Sequence, residues 1–556
     1  MVIAPRQRVF VASTIIIVML VAIGAIFPDR FSQGASAALS GVTHLFGWFY
    51  LFSVFGFVIF LLVLAFSKYG KIRLGPQESK PSYDFFSWVS MLLAAGFGVG
   101  LVFYGMAEPM MHFMNPPFDD MEGSTPDAAR YAIQYAFFNW GVHQWAAFSV
   151  VGLIIAYTQF RKGQTGLVST VMSPLTAKLG KGRVFAGGLL NTFAVVATVM
   201  GVATSIGLAV LQINGGLHAV FGVAEGFMWQ AIILFAMFVC YMMSTVSGLD
   251  KGIKRLSNLN MILCLGLMFY ILVTGPTVAI LETITVGMGD YLQNFLGMSL
   301  RINPFTDNDW ISSWTVFYWA WVIAWSPFVG TFVARVSRGR TIKEYVFGVL
   351  IVPPLLACLW IGVFGGAALH MDLYQDAGLA QATSDNITSA LFVMFDQMPF
   401  SFPLSIVAML LIFIFLVTSA DSAAYIVGQM TDKGSLNPPL YKRVTWGVLI
   451  AAICLILITA GGESGLSGLQ SAAVVSALPF TLIIYGMVYV LLKELRADRK
   501  QMLLNLYRQH NETPVGADAF EADEMSDANA DRLRRVPGVK NRRINRDRGT
   551  GQIEPE

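Results

Sequence analysis

The sequence predicts an all-α polytopic membrane protein with twelve transmembrane helices, and three observations carry that reading. Hydrophobic residues make up 55% of the 556 residues and charged residues only 13%, with a mean hydropathy of +0.62, far from the averages of soluble domains. Apolar runs of about 20 residues, the length that crosses a hydrocarbon core, recur twelve times along the chain. The basic residues fall almost entirely into alternate connections between those runs.

In chain order the runs are 9–27, 45–66, 85–107, 133–160, 186–213, 227–246, 259–281, 314–336, 346–369, 402–427, 444–460 and 468–492. With the N-terminus inside, 34 of the 37 Lys and Arg residues lie in cytoplasmic segments, and only Arg30, Arg130 and Arg301 lie outside. A missed or invented span would invert every later loop and destroy this asymmetry, so both termini are expected in the cytoplasm. The net charge of +3 says little by itself.

The first run exceeds the roughly 7 to 15 residue apolar core of a secretory signal, so it reads as a retained span although Ala35-Ser36-Ala37 follows it. Cys240, Cys264, Cys358 and Cys454 each sit inside an apolar run with no paired spacing, which gives neither a disulfide nor a metal framework. The outer loops collect acidic residues with Pro and Gly, as in MNPPFDDMEGSTPD before the fourth run. The tail, 493–556, reads as a short amphipathic helix, an acidic stretch and the basic segment RLRRVPGVKNRRINRDR. It is either a solvated charged terminus or a segment drawn to anionic inner-leaflet lipid.

The eighth run carries the most information. WTVFYWAWVIAWSPFVGTFVARVSRGR holds four tryptophans and a Ser-Pro step at Ser326 and Pro327. Trp314, Tyr318, Trp321, Trp325, Phe328 and Phe332 recur at steps of three and four, so they form one aromatic face. Proline removes a backbone donor, and in a bilayer a helix break is tolerated only where protein or a water-filled cavity covers it. The run therefore reads as the wall of an internal site, and its ring faces point to a cationic ligand.

This stretch resembles the betaine/choline/carnitine transporter family, and AAGFGVGLVFYGMAEP at 94–109, NWGVHQWAAF at 139–148 and VTSADSA at 417–423 agree with it. The likeness covers roughly residues 10–495. It implies a LeuT-like fold of two inverted five-helix repeats, the third to seventh and eighth to twelfth spans, preceded by two extra helices. The expected layout is a cytoplasmic N-terminus at 1–8, two extra helices and a loop at 9–84, a first repeat at 85–285, a periplasmic connection at 286–311, a second repeat at 312–492 and the tail at 493–556. Each repeat would open on an interrupted helix, through Gly96, Gly98, Gly100 and Gly105 in one and the Ser-Pro step in the other, and paired interruptions point to a midplane site.

The resemblance also implies a function: secondary active import of a betaine-type onium solute by sodium symport with alternating access. Such a carrier belongs in the bacterial inner membrane as a homotrimer, with Na+ as coupling ion, no organic cofactor and no nucleic acid partner. Trp140, Trp145, Trp321 and Trp325 would form an aromatic cage whose rings hold a methylated cation. Two positions depart from the family cage: Phe148 stands where tyrosine is usual and Val322 where tryptophan is. Glycine betaine or choline is the first expectation, and a sulfonium analogue or a bulkier or less methylated solute fits the altered pocket.

A sodium site is expected from the main-chain carbonyls of Ala94 and Phe97 with the hydroxyls of Thr418 and Ser419, the oxygen shell a hard cation takes. The family's second sodium site keeps Thr198 and Phe328 here, but the position one turn after Thr198 is Val202, which cannot coordinate. Glu108 reads as a cap or gate at the outer end of its span, His143 as a packed, hydrogen-bonded residue, and Asp421 as a buried charge without a nameable partner. No constellation of nucleophile, base or metal ligands supports an intramembrane enzyme. A sodium-independent exchanger of the carnitine type and a solute-binding membrane sensor are the alternatives.

Overall fold

A computed structural model of the chain describes residues 8–96, 98–247, 249–305 and 308–512. Met1–Leu495 is one compact unit and Arg496–Glu556 a second, of which residues 496–512 are helical. Among the described residues the secondary structure is helical, apart from one isolated antiparallel bridge between Arg73 and Thr341.

The chain opens with α1 (Arg8–Ile26) and the long α2 (Pro28–Phe66), where Pro28 takes a first-turn position that needs no backbone donor. The third expected span is broken: α3 (Phe85–Gly96) and α4 (Gly98–Met114) meet at a bend of 63°. Gly98 sits at φ +49°, a left-handed conformation open to glycine. The fourth is divided at Gly141 into α5 (Pro126–Trp140) and α6 (Val142–Ala156), and α6 ends in a π-turn, Tyr157–Arg161. Thr125 caps α5, its hydroxyl accepting from the Ala128 N–H at 3.2 Å.

Short α7 (Val168–Val171) and α8 (Ser173–Thr176) lead into α9 (Arg183–Phe221), which Gly222 ends at φ +64°. Then come α10 (Phe227–Ser247), α11 (Leu249–Thr274), α12 (Thr277–Gln293) and α13 (Phe295–Ser299). The second half holds α14 (Phe317–Val336), α15 (Ile342–Leu350), α16 (Val352–Gln375), α17 (Leu379–Asp385), α18 (Ala390–Asp396), α19 (Ser401–Thr431), α20 (Leu440–Val475) and α21 (Ala477–Glu512).

Ten of these helical segments are long and apolar enough to cross a membrane, eleven with the bent α3/α4 pair, among the described residues. Helix α20 lies over the expected run 444–460 and is outside that count. The chain is thus a multi-pass helical membrane protein. Two expected boundaries need correction. The run 259–281 stops at Gly275-Pro276, because Pro276 has no N–H and restricts its predecessor, and α12 starts afresh. The gap expected at 461–467 is helical: the stretch contains no proline, and a backbone shielded from water keeps its hydrogen bonds inside the helix.

Helices α1, α10 and α11 leave most of their apolar surface uncovered by the rest of the chain, whereas α5/α6 and α14 are enclosed. Glycines set the closest approach: a Cβ on Gly330 of α14 would stand 2.8 Å from Val151 of α6, and one on Gly152 would meet the Gly330 carbonyl at 3.0 Å. The α2–α3 and α14–α15 loops are zipped together. Leu74 and Ile342 N–H groups donate to the Arg340 and Ile72 carbonyls at 2.8 and 2.9 Å. The Arg73 guanidinium donates to the Gly339 carbonyl at 2.8 Å.

Candidate functional site

The expected interruption at Ser326-Pro327 does not break its helix. Helix α14 runs through Pro327, and the reason is local. In an unbroken helix residue 327 would donate to the carbonyl of residue 323. Pro327 has no N–H, and the Ser326 hydroxyl donates to that Ile323 carbonyl at 2.6 Å instead. The backbone acceptor is satisfied and the helix continues.

The aromatic face of α14 turns toward the enclosed centre of the bundle. Trp321 and Trp325 meet edge to face at 5.7 Å, and Trp140 from α5 meets Trp321 at 6.4 Å and 87°. Trp319, on the other side of α14, stacks on His143 at 5.4 Å and is fully buried in the core. His143 is fully buried among these rings, its Nε2 meeting the Ser299 hydroxyl at 2.8 Å while its Nδ1 is buried without a hydrogen-bond partner.

A cavity lies where these helices meet the α3/α4 break. Gly98, Gly100 and Tyr104 form its floor on the broken helix, and Trp140 and Phe148 face it from α5 and α6. Trp321, Val322 and Trp325 supply the α14 wall. Gly100 keeps the space open, since a Cβ there would stand 3.0 Å from the Trp140 ring and 3.7 Å from Trp321. Trp145 is not in the cavity wall. It packs on Gly96, where a Cβ would come within 2.5 Å of its ring, and supports Phe148 edge to face at 5.8 Å.

The expected sodium ligands divide. Ser419 on α19 also lines the cavity, and its hydroxyl donates to the Ala94 carbonyl on α3 at 3.0 Å, joining residues 325 positions apart. Two oxygens thus converge where the helix breaks, as a hard cation needs. Thr418 donates to its own helix, at 3.0 Å to the Ile414 carbonyl and 2.8 Å to that of Phe415, which leaves its lone pairs free for a cation. Phe97 lies outside the described residues. At the other position the Thr198 hydroxyl is buried with no hydrogen-bond partner, while Val202 and Phe328 beside that span are buried and offer no side-chain oxygen. Of these three side chains Thr198 alone carries an oxygen.

Three features were not read from the sequence. Glu108 is fully buried and accepts from Trp140 Nε1 at 2.6 Å, from Asn139 Nδ2 at 2.9 Å and from the Tyr318 hydroxyl, with His112 Nε2 at 3.1 Å. It therefore joins α4, α5 and α14 and orients one wall of the cavity. Asp421 accepts from the hydroxyls of Ser244 and of Thr245, the latter at 2.6 Å, so hydroxyl groups of α10 are its direct partners. Gln144 and Gln212 line the cavity. The spacing of Gln144, four residues after Trp140 and four before Phe148, was the available signal.

The family model for betaine/carnitine/choline family transporters matches residues 8–500. An ectoine/hydroxyectoine transporter of Virgibacillus pantothenticus is 50% identical over 483 residues, which is 87% of this chain and 95% of that protein. The glycine betaine transporter OpuD of Bacillus subtilis (strain 168) is 44% identical over 482 residues, 86% of this chain and 92% of that protein. A glycine betaine transporter of Acinetobacter baylyi is 39% identical over 498 residues, 89% of this chain and 74% of that protein.

Proposed function

Because the chain belongs to the betaine/carnitine/choline transporter family, we propose that it imports a small betaine-type onium solute, zwitterionic or cationic, by sodium symport with alternating access. The carrying observation is one juxtaposition: an aromatic-walled cavity at the α3/α4 break, with the Ser419–Ala94 oxygen pair at its edge. The solute class follows from the walls and the relatives. Trp140, Trp321 and Trp325 present ring faces to a cation, and a desolvated contact of this kind is worth about 2 kcal/mol. Relatives named as glycine betaine and ectoine transporters bracket the choice; choline and sulfonium analogues share the alkylated onium head of glycine betaine, choline without the carboxylate.

The chain's own residues would perform the cycle as follows. The indoles replace the water around the solute cation, and the dry walls strengthen that attraction. Ala94 and Ser419, with Thr418, would hold sodium, which supplies the free energy of its own gradient when bound. A solute and an ion that both bind at the α3/α4 junction favour the same arrangement of the two half-helices, so occupancy of one raises affinity for the other. The setting we propose is a bacterial inner membrane with both termini cytoplasmic, a homotrimeric assembly, and contact of the C-terminal tail with anionic lipid.

Uptake of labelled glycine betaine, choline and ectoine by proteoliposomes tests the reading. Accumulation that requires an inward sodium gradient is the expected result. Solute-for-solute exchange that ignores sodium would replace symport by the exchanger reading, and binding without flux would assign a sensor.

A further inference from the structure

The division of the fourth expected span at Gly141 is held from outside the cavity. Gly141 leaves helical geometry at φ −82° and ψ −146°, its N–H takes the Phe138 carbonyl at 3.4 Å, and Val142 starts α6 with an N–H that its own helix cannot satisfy. The hydroxyl of Tyr291 on α12 accepts that N–H at 3.1 Å. Glycine admits the approach, since a Cβ at 141 would stand 2.6 Å from the Tyr291 oxygen and 2.4 Å from the Phe137 carbonyl. Tyr291 is buried, and no residue of α12 is among those that line the cavity.

Helix α12 is itself docked firmly on α5. Asp290, beside Tyr291, accepts a two-point contact from the Arg130 guanidinium, Nε at 2.6 Å and Nη2 at 2.8 Å, and Gln134 Nε2 donates to the Asp290 carbonyl at 3.2 Å. Gly287 lets the two helices close, because a Cβ there would stand 2.5 Å from Ile133 and 3.0 Å from Phe137. Arg130, Gln134, Phe137 and Gly141 recur at steps of three and four, so one face of α5 carries the contact up to the break. Beyond it, Ser299 of α13 meets His143 of α6 at 2.8 Å. The segment from Thr277 to Ser299 thus grips the break from both sides.

The residues that flank the break are cavity residues. Trp140 ends α5 and lines the cavity, and Gln144 and Phe148 of α6 line it too. A turn of the peptide at 141–142 would rotate the Trp140 ring against the α6 wall. We propose that Tyr291 is a positioning residue for this site: its hydroxyl fixes the α5/α6 break in the shape that presents Trp140 to the solute. This rests on the transport reading above. Without the hydroxyl the Val142 N–H is buried and unpaired, the break relaxes to satisfy it, and solute binding has to restore the original shape.

The test compares Tyr291→Phe with Tyr241→Phe in the full chain. Each removes one buried hydroxyl bonded to backbone and keeps the ring; Tyr241 donates to the Gly447 carbonyl at 2.7 Å, and neither of that pair lines the cavity. Tyr291→Phe is expected to raise the dissociation constant about tenfold for whichever of glycine betaine and ectoine the unmodified protein takes up, with the maximal uptake rate unchanged. It should also speed amide hydrogen exchange across residues 140–145. Tyr241→Phe should leave the affinity at its original value. Unchanged affinity in Tyr291→Phe, or an equal loss in both variants, overturns the proposal, since a hydroxyl that serves stability alone has no privileged link to solute binding. Where Tyr291→Phe is too unstable to purify, competition for uptake in membrane vesicles gives the same comparison. If the unmodified protein neither binds nor accumulates either solute, the transport reading falls by itself; exchange at 140–145 that Tyr291→Phe leaves unchanged overturns the hold on the break in that case as well.

Discussion

The indole N–H of Trp140 donates to the carboxyl group of Glu108 at 2.6 Å, which ties a ring of the cavity wall on α5 to a fully buried acidic side chain on α4. Asn139 and Tyr318 donate to the same carboxylate, so it gathers side chains from three helices. Glu108→Ala would leave these donors unpaired at about 1–3 kcal/mol each. We expect folded stability to fall by about 3 kcal/mol or more. Glu108→Gln keeps one accepting oxygen and should lose less stability while weakening solute binding through a looser Trp140. Thermal unfolding in detergent and fluorescence titration measure both, and an Ala variant with full stability and affinity would refute this role.

For sodium, Ser419 should matter more than Thr418, because Ser419 reaches across to the Ala94 carbonyl while Thr418 bonds within its own helix. Ser419→Ala should raise the sodium concentration for half-maximal uptake about tenfold, the loss of one charge-assisted contact. The double variant with Thr418→Ala should raise it further. Uptake by the double variant that is equal to wild type at every sodium concentration would remove the site.

Trp321→Ala and Trp325→Ala should each weaken solute binding by about 2 kcal/mol, or roughly thirtyfold. Trp145→Ala should act differently, since Trp145 packs on Gly96 behind the wall. It is expected to lower stability more than affinity. Unchanged affinity in both Trp321 and Trp325 variants would reduce the aromatic face to packing.

Val322→Trp combined with Phe148→Tyr rebuilds the usual family cage. The pair should shift preference toward compact trimethylammonium solutes in a competition assay, because selectivity is a difference of affinities. A proportional loss for every solute would mean that these positions serve stability alone.

Coupling should be weak in stoichiometry. One sodium moved down about 100 mV supplies about 2.3 kcal/mol, enough for roughly fiftyfold accumulation of a neutral zwitterion, and two would square that factor. With Val202 beside the orphaned Thr198 hydroxyl, a ratio near one is expected, and Val202→Thr should raise it. Reversal potentials in proteoliposomes give the number. A value of two that survives Thr198→Ala would locate the second ion elsewhere.

The helical membrane class, the family and most of the cavity wall were legible because each rests on local pattern. Apolar runs, the alternation of basic loops and the three-and-four spacing of Trp321, Trp325 and Phe328 are properties of neighbouring residues. Pro327 shows the limit of that logic. The sequence marks a missing donor, but whether the helix breaks depends on where the Ser326 hydroxyl points, and it points to Ile323.

What the sequence determined alone was therefore the class of molecule, a helical membrane transporter, and the chemical character of the aromatic cavity wall. Tertiary structure decided which residues act together. Ser419 and Ala94 stand 325 positions apart, and Glu108 and Tyr318 stand 210 apart. The physical reason is that hydropathy and helical period are set within a few turns of chain, whereas hydrogen-bond partners inside a bundle are set by which helices pack together. The same packing encloses the carbonyl oxygens of Gln144 and Gln212 without a donor.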